Sequence, residues 1–128
     1  MTSEGIGELL PHAVRAIVDK KGLGPVAIDL RGLTDYADVL LIVSGTSDRH
    51  VQTIAEAVVA AVAEAGERPI GVEGTQRGSW ALIDFGSLVV HVFLDPVRAT
   101  YDLEGLWTDA PRLAIAVPAE VRSRVAMF

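Results

Sequence analysis

The sequence predicts an α/β fold: a single domain built on one mixed β-sheet of about five strands, with helices packed on it. Three observations carry that expectation. The uninterrupted branched run Val39-Leu40-Leu41-Ile42-Val43 has the composition of a central strand covered on both faces. A helix-period apolar stripe follows at once, from Asp48 to Ala65. Two strand-like runs then fold back on each other at Phe85-Gly86-Ser87. With 128 residues, half of them apolar, the chain suits one domain with a core of its own. Its mean hydropathy of +0.36 argues against disorder.

The elements follow in order. Ile6 to Lys20 has helical spacing, with Leu9, Leu10, Ala13, Val14, Ile17 and Val18 on one face. Proline is tolerated in a first turn, so Pro11 sets the firm start near Leu10. Lys20-Lys21-Gly22 is a favourable ending, with cations at the negative end of the dipole and then glycine. Pro25 to Leu30 is a short strand, and Leu33 to Asp38 a polar connection into Val39–Val43. Ser47 is the N-cap of the long helix, Asp48 suits its first turn, and Gly66 takes the position past its end. Val51, Ile54, Ala55, Val58, Ala61, Val62 and Ala65 form its stripe. Arg68 to Glu73 is a weak strand that Pro69 and Gly71 push to an edge. After the polar turn Gly74–Gly78, the side chains of Trp80, Leu82 and Asp84 alternate with Ala81, Ile83 and Phe85. Val89, His91 and Phe93 likewise oppose Leu88, Val90, Val92 and Leu94. Asp95-Pro96 reads as N-cap and N1 of a helical turn, and Leu103, Leu106 and Trp107 lie on one side of a short helix. Residues 1–110 thus form the domain and 111–128 a tail, broken by Pro111 and Pro118, with a short helix indicated from Ala119 to Met127.

Composition narrows the function. The chain has no cysteine, which removes disulfides, thiolate catalysis and cysteine zinc sites together. It lacks an apolar run of membrane-spanning length, and MTSEGIGELL has no basic start or long apolar stretch of a secretory signal. The expected setting is the cytoplasm. Seventeen acids against 11 bases give a net charge of −6. The bases are scattered, so direct binding to DNA or RNA phosphates is disfavoured and a protein partner, a basic one included, is the better expectation.

The constellations that would carry chemistry have plainer readings. Ser44-Gly45-Thr46-Ser47 joins a buried strand to a helix N-terminus, where free N–H groups hold anions in other proteins. It has no phosphate-loop lysine or glycine spacing, and a structural turn is the commoner reason for small residues there. His12, His50 and His91 have no ligand spacing; His50, one turn into the long helix, reads as solvated and His91 as a satisfied sheet histidine. Ser44 or Ser47, His91 and Asp84 compose a triad on paper only, without a nucleophile elbow. Asp29, Asp38, Asp84 and Asp95 flank strands, where acids collect because they disfavour sheet interiors.

The aromatic residues remain. The stretch Gly78–Ala110 holds both tryptophans, Phe85, Phe93, His91 and Tyr101. Trp80, Phe93, Tyr101 and Trp107, with Leu103 and Leu106, are either core or, beside Asp102, Glu104 and Asp109, an interface of aromatic anchors with an acidic rim.

From Asp29 to Ala110, about two thirds of the chain, the sequence resembles the ribosomal silencing factors, also called the Iojap family. The match is carried by Ala37-Asp38 before an apolar strand, Ser44-Gly45-Thr46-Ser47, Glu73-Gly74, Trp80 to Asp84 and Val89-Val90-His91-Val92-Phe93. It continues through Arg98, Tyr101, Leu103-Glu104, Leu106-Trp107 and Asp109-Ala110, the most specific group. Val39 stands where the family usually has an aromatic residue, and Ser87 where an acid commonly follows the hairpin glycine. The resemblance implies a nucleotidyltransferase-like fold without that catalysis and without a cofactor or metal. It implies a homodimer when free that binds ribosomal protein L-fourteen on the large subunit. Subunit joining is then blocked and translation lowered when nutrients are short. Trp80, His91, Phe93, Arg98, Tyr101, Leu103, Glu104, Leu106, Trp107 and Asp109 are the residues it puts forward for partner binding. Two alternatives stand beside it: a nucleotide-binding enzyme using the Ser44–Ser47 loop, disfavoured because the chain has no D-x-D carboxylate pair for metal, and a dimeric module with another protein target.

Overall fold

The computed structural model describes residues 2–74 and 79–115. In chain order the elements are α1 (Thr2–Asp19), β1 (Leu23–Asp29), β2 (Val39–Gly45), α2 (Asp48–Glu64), β3 (Gly71–Glu73) and β4 (Trp80–Asp84). They continue with β5 (Leu88–Leu94), α3 (Asp95–Tyr101), α4 (Leu103–Leu106) and β6 (Arg112–Leu113). The strands make one six-stranded sheet in the order β3-β4-β5-β2-β1-β6. β2 and β5 pair in parallel and every other pair is antiparallel, so the sheet is mixed as expected. The sixth strand is β6, two residues just after Pro111 that pair with Ala27 and Ile28 of β1. The indicated helix Ala119–Met127 and turn residues 75–78 lie outside the described residues. Among the described residues no helix is long and apolar enough to cross a membrane.

The branched run behaves as its composition requires. Every residue of β2 is buried, and it sits between β5 and β1. Alternation then sorts side chains onto two faces. Val39, Leu41, Val43, Ala81, Ile83, Leu88, Val90 and Val92 join the buried faces of α1 and α2 in one core. Ile28, Leu40, Ile42, Val89 and Phe93 form a second core on the other side, with Leu30, Ala37 and Ala110. Val39 is wholly buried, and Ser87 contributes its carbonyl, which accepts the N–H groups of Asp38 and Val39.

Of the two long helices, only α1 departs from the sequence expectation at its ends. α1 begins at Thr2 and carries Pro11 inside it, not near its start. An internal proline forfeits one backbone bond; burial of Leu9, Leu10, Ala13, Val14 and Ile17 outweighs that loss. The left-handed residue that ends α1 is Lys21, at φ 60°, one position before the expected glycine. Gly22 N–H bonds Ile17 O at 2.8 Å and Lys21 N–H bonds Val18 O at 3.0 Å, the paired closure of a Schellman end. Gly22 is required for space instead, since a Cβ there would lie 2.7 Å from both Ile17 Cγ2 and Val43 Cγ2. α2 starts as expected, Ser47 Oγ accepting from His50 N–H at 3.1 Å, and Gly66 follows its end at φ 92°.

His50 is not a solvated side chain. Its Nδ1 accepts from Thr46 N–H at 2.9 Å and its Nε2 lies 2.7 Å from Lys20 O. The imidazole therefore ties the end of α1 to the start of α2, satisfying a carbonyl that a helix terminus leaves open. α3 begins one residue early, with Leu94 at the N-cap and Pro96 in the first turn.

Candidate partner-binding face

The second face of the sheet is where the aromatic residues gather. In the antiparallel β4–β5 pair, Trp80 stands opposite Phe93 and Leu82 opposite His91. Phe93 is fully buried and forms the floor. Trp80 lies on it with ring centroids 5.0 Å apart, and Tyr101, from the end of α3, lies on Trp80 at 4.4 Å. Tilted contacts of this kind add to area burial because ring edges and faces carry opposite partial charge. Trp107, Leu103 and Leu82 are half-buried against the same core. Tyr101 is 54 % exposed, and Leu106, on the following short helix, is 70 % exposed.

His91 sits beneath these rings, buried in β5. Trp80 Nε1–H donates to its Nδ1 at 2.9 Å, and Tyr36 Oη lies 3.5 Å from its Nε2. Burial disfavours the charged imidazolium and pulls its pKa down from 6.5 to about 4, so the ring is neutral at physiological pH. Tyr36 is 50 % exposed, and burial together with the nearby Asp84 carboxylate raises its phenol.

A second set of polar bonds holds the short helices in place. The Arg98 side chain is only 13 % exposed. Its guanidinium grips Glu104 with two bonds of 2.9 and 3.1 Å, the paired geometry that suits a planar fork. Further bonds run to Leu23 O, Gly24 O and Ser44 Oγ, at 3.2, 2.8 and 3.1 Å. α3 and α4 are thereby tied to the start of β1 and the end of β2. Between them Asp102 takes a left-handed conformation at φ 46° and its Oδ1 caps α4 by accepting from Gly105 N–H at 3.1 Å. A Cβ on Gly105 would displace the Asp102 carboxylate from its capping position. Arg112 closes the far end through Trp107 O, Ala110 O and Glu104 O.

The ten residues put forward from the sequence therefore occupy distinct places. Tyr101, Leu106 and Asp109 face solvent, while Trp80, Leu103 and Trp107 are half-buried beneath or beside them. Phe93 and His91 are interior and support the face without reaching its surface. Arg98 and Glu104 spend their hydrogen bonds on each other and on the chain. Asp102 is a rim acid, whereas Glu104 is half of an internal ion pair. Two contributors were not legible: Tyr36, on a polar connection, and Arg112, whose partners lie on α4 and the turn after it.

The catalytic arrangements do not assemble. Ser44 Oγ is taken by Arg98, Ser47 Oγ by His50 N–H, and Asp84 Oδ1 accepts from Gly86 N–H at 2.7 Å. The N–H of Thr46, which an anion in the loop would need, is bonded to His50. Among the described residues no three of His, Asp or Glu converge on a metal-sized site.

A family model described as "Ribosomal silencing factor during starvation" matches residues 3–126. A ribosomal silencing factor of Halalkalibacterium halodurans is 43 % identical over 108 residues, covering 84 % of this chain and 92 % of its own. One of the same name from Bacillus subtilis is 40 % identical over 103 residues, covering 80 % and 87 %. An X-ray crystal structure of a Chromobacterium violaceum protein superposes with a TM-score of 0.78 at 37 % identity, covering 89 % of this chain and 94 % of that one.

Proposed function

The chain belongs to the ribosomal silencing factor family, and on that premise we propose that it binds the large ribosomal subunit through ribosomal protein L-fourteen and blocks joining of the small subunit. The observation that carries the reading is the exposure of Tyr101 on a supported aromatic floor, with Leu106 exposed on the next short helix. Apolar anchors over a rigid base are what a protein interface uses for most of its binding energy. The net charge of −6 complements a basic ribosomal protein and speeds encounter with it. The action is steric and no bond is made or broken: a folded domain on the joining surface occupies volume that the small subunit needs. Free in the cytoplasm, the protein is a homodimer, and translation falls as bound large subunits accumulate under nutrient shortage.

Co-sedimentation with purified large subunits tests this, followed by addition of small subunits. The expected result is stoichiometric association with large subunits and a shift from whole ribosomes to free subunits. Failure to co-sediment would end the reading. A magnesium-dependent nucleotide titration with measurable heat would favour the enzyme alternative instead.

A further inference from the structure

We propose that His91 is the positioning residue of the docking face, locking Trp80 as the platform for Tyr101, and that Tyr36, on its other nitrogen, belongs to the same docking surface. The binding part of this inference rests on the reading above; the positioning part does not.

Hydrogen-bond chemistry fixes the tautomer. An indole N–H only donates, so the nitrogen it meets must present a lone pair. Trp80 Nε1 meets Nδ1 at 2.9 Å, hence the imidazole proton is on Nε2 and points toward Tyr36 Oη, at 3.5 Å the longer and weaker contact. Protonating Nδ1 would set two donors against each other. The buried ring stays neutral well below physiological pH, so the acceptor persists. Trp80 in turn touches His91, Phe93 and Tyr101 at centroid distances of 5.8, 5.0 and 4.4 Å. One interior imidazole thus sets the orientation of a tryptophan and, through it, of an exposed tyrosine from another element. Its opposite edge meets a second half-exposed tyrosine, from the connection between β1 and β2. Fixing side chains before contact lowers the ordering cost of association.

The test uses two amides that each imitate one ring nitrogen. His91→Asn places its carbonyl near the Nδ1 position and can still accept from Trp80; His91→Gln reaches toward Tyr36 and cannot. Long-range proton–nitrogen NMR of the free protein, with Trp80 assigned by Trp107→Phe, should show His91 as the Nε2–H tautomer at neutral pH. The Trp80 indole proton should move in His91→Gln and recover in His91→Asn, and His91→Asn should bind large subunits about tenfold more tightly than His91→Gln, the equivalent of one hydrogen bond. Tyr36→Ala should weaken co-sedimentation about tenfold with the Trp80 signal retained. An Nδ1–H tautomer, or an indole proton indifferent to His91→Gln, overturns the positioning role. Undiminished binding by Tyr36→Ala, where Tyr101→Ala weakens it, removes Tyr36 from the surface. If both tyrosine variants bind undiminished while the NMR signature holds, the docking reading fails and the positioning role stands.

Discussion

Over the sheet face that carries Leu41, Val43, Ile83, Val90 and Val92, α1 and α2 lay two long amphipathic helices whose Ile17, Ile54 and Val58 are wholly buried. Over the face that carries Leu40, Ile42, Val89 and Phe93, two short helices and a loop leave Tyr36, Tyr101 and Leu106 half or more in solvent. The first face is finished by burial, which is strong but without direction. The second is held by directed polar bonds: Arg98 to Glu104, Ser44 and two carbonyls, and Trp80 to His91. A face proposed to meet a partner cannot rely on burial, because its anchors have to stay in water until the partner arrives. Its order has to come from bonds beneath the surface.

That contrast breaks most sharply at Arg98. Arg98→Ala would leave the Glu104 carboxylate, Ser44 Oγ and two carbonyls without their shared donor, and urea denaturation should show a loss of about 3 kcal/mol. Arg98→Lys should recover only part, since an ammonium cannot reproduce the paired fork. A loss no larger than a surface substitution would mean that the second face is held by packing after all.

Next in size is a pH effect confined to the second face. His91 titrates at about 4 in the folded chain against 6.5 ordinarily, so between those values the unfolded chain binds the proton and the folded chain does not. The associated stability is whole above the ordinary value and is lost as pH falls toward the folded one. His91→Asn should flatten that window by on the order of 2 kcal/mol in denaturation followed from pH 7 to pH 4. Asp29, whose carboxyl the Arg31 guanidinium holds below its ordinary 3.8, loses its own contribution only at lower pH. The two groups are therefore separable by the range in which they act.

The smallest effect belongs to the turn that ends α1. Lys21→Gly relieves a left-handed backbone at the end of α1 and should stabilise the protein by up to about 1 kcal/mol, read as a raised urea midpoint. Binding to large subunits should not change, because α1 packs on the opposite face of the sheet from the aromatic residues.

The sequence was a good guide wherever a period of two or of 3.6 decides the outcome. Alternation alone divided Val89, His91 and Phe93 from Leu88, Val90 and Val92, and the stripe of α2 fell where its spacing put it. Short or capped features were harder. β6 is two residues long, too short to show any period, and Pro11 signals a helix start that tertiary packing overrules. Lys21 took the left-handed position because Gly22 was needed for close packing, a demand that only the fold reveals. The sequence named candidate residues but not their places in the fold. Arg98 reaches carbonyls 74 and 75 residues away in sequence, His50 reaches Lys20, and Tyr36 meets His91 across 55 positions. Nothing local marks such pairs.

We propose that the exposed aromatic edge binds the ribosome while the helical face only holds the fold. Co-sedimentation of the Tyr101→Ala/Leu106→Ala variant with large ribosomal subunits tests it most directly, alongside Ile54→Ala as the helical-face counterpart. The double variant should keep a near-normal unfolding midpoint and lose about 30-fold in affinity, roughly 2 kcal/mol. Ile54→Ala should lose about 3 kcal/mol of stability and, while folded, bind normally. Undiminished binding by the double variant would contradict it.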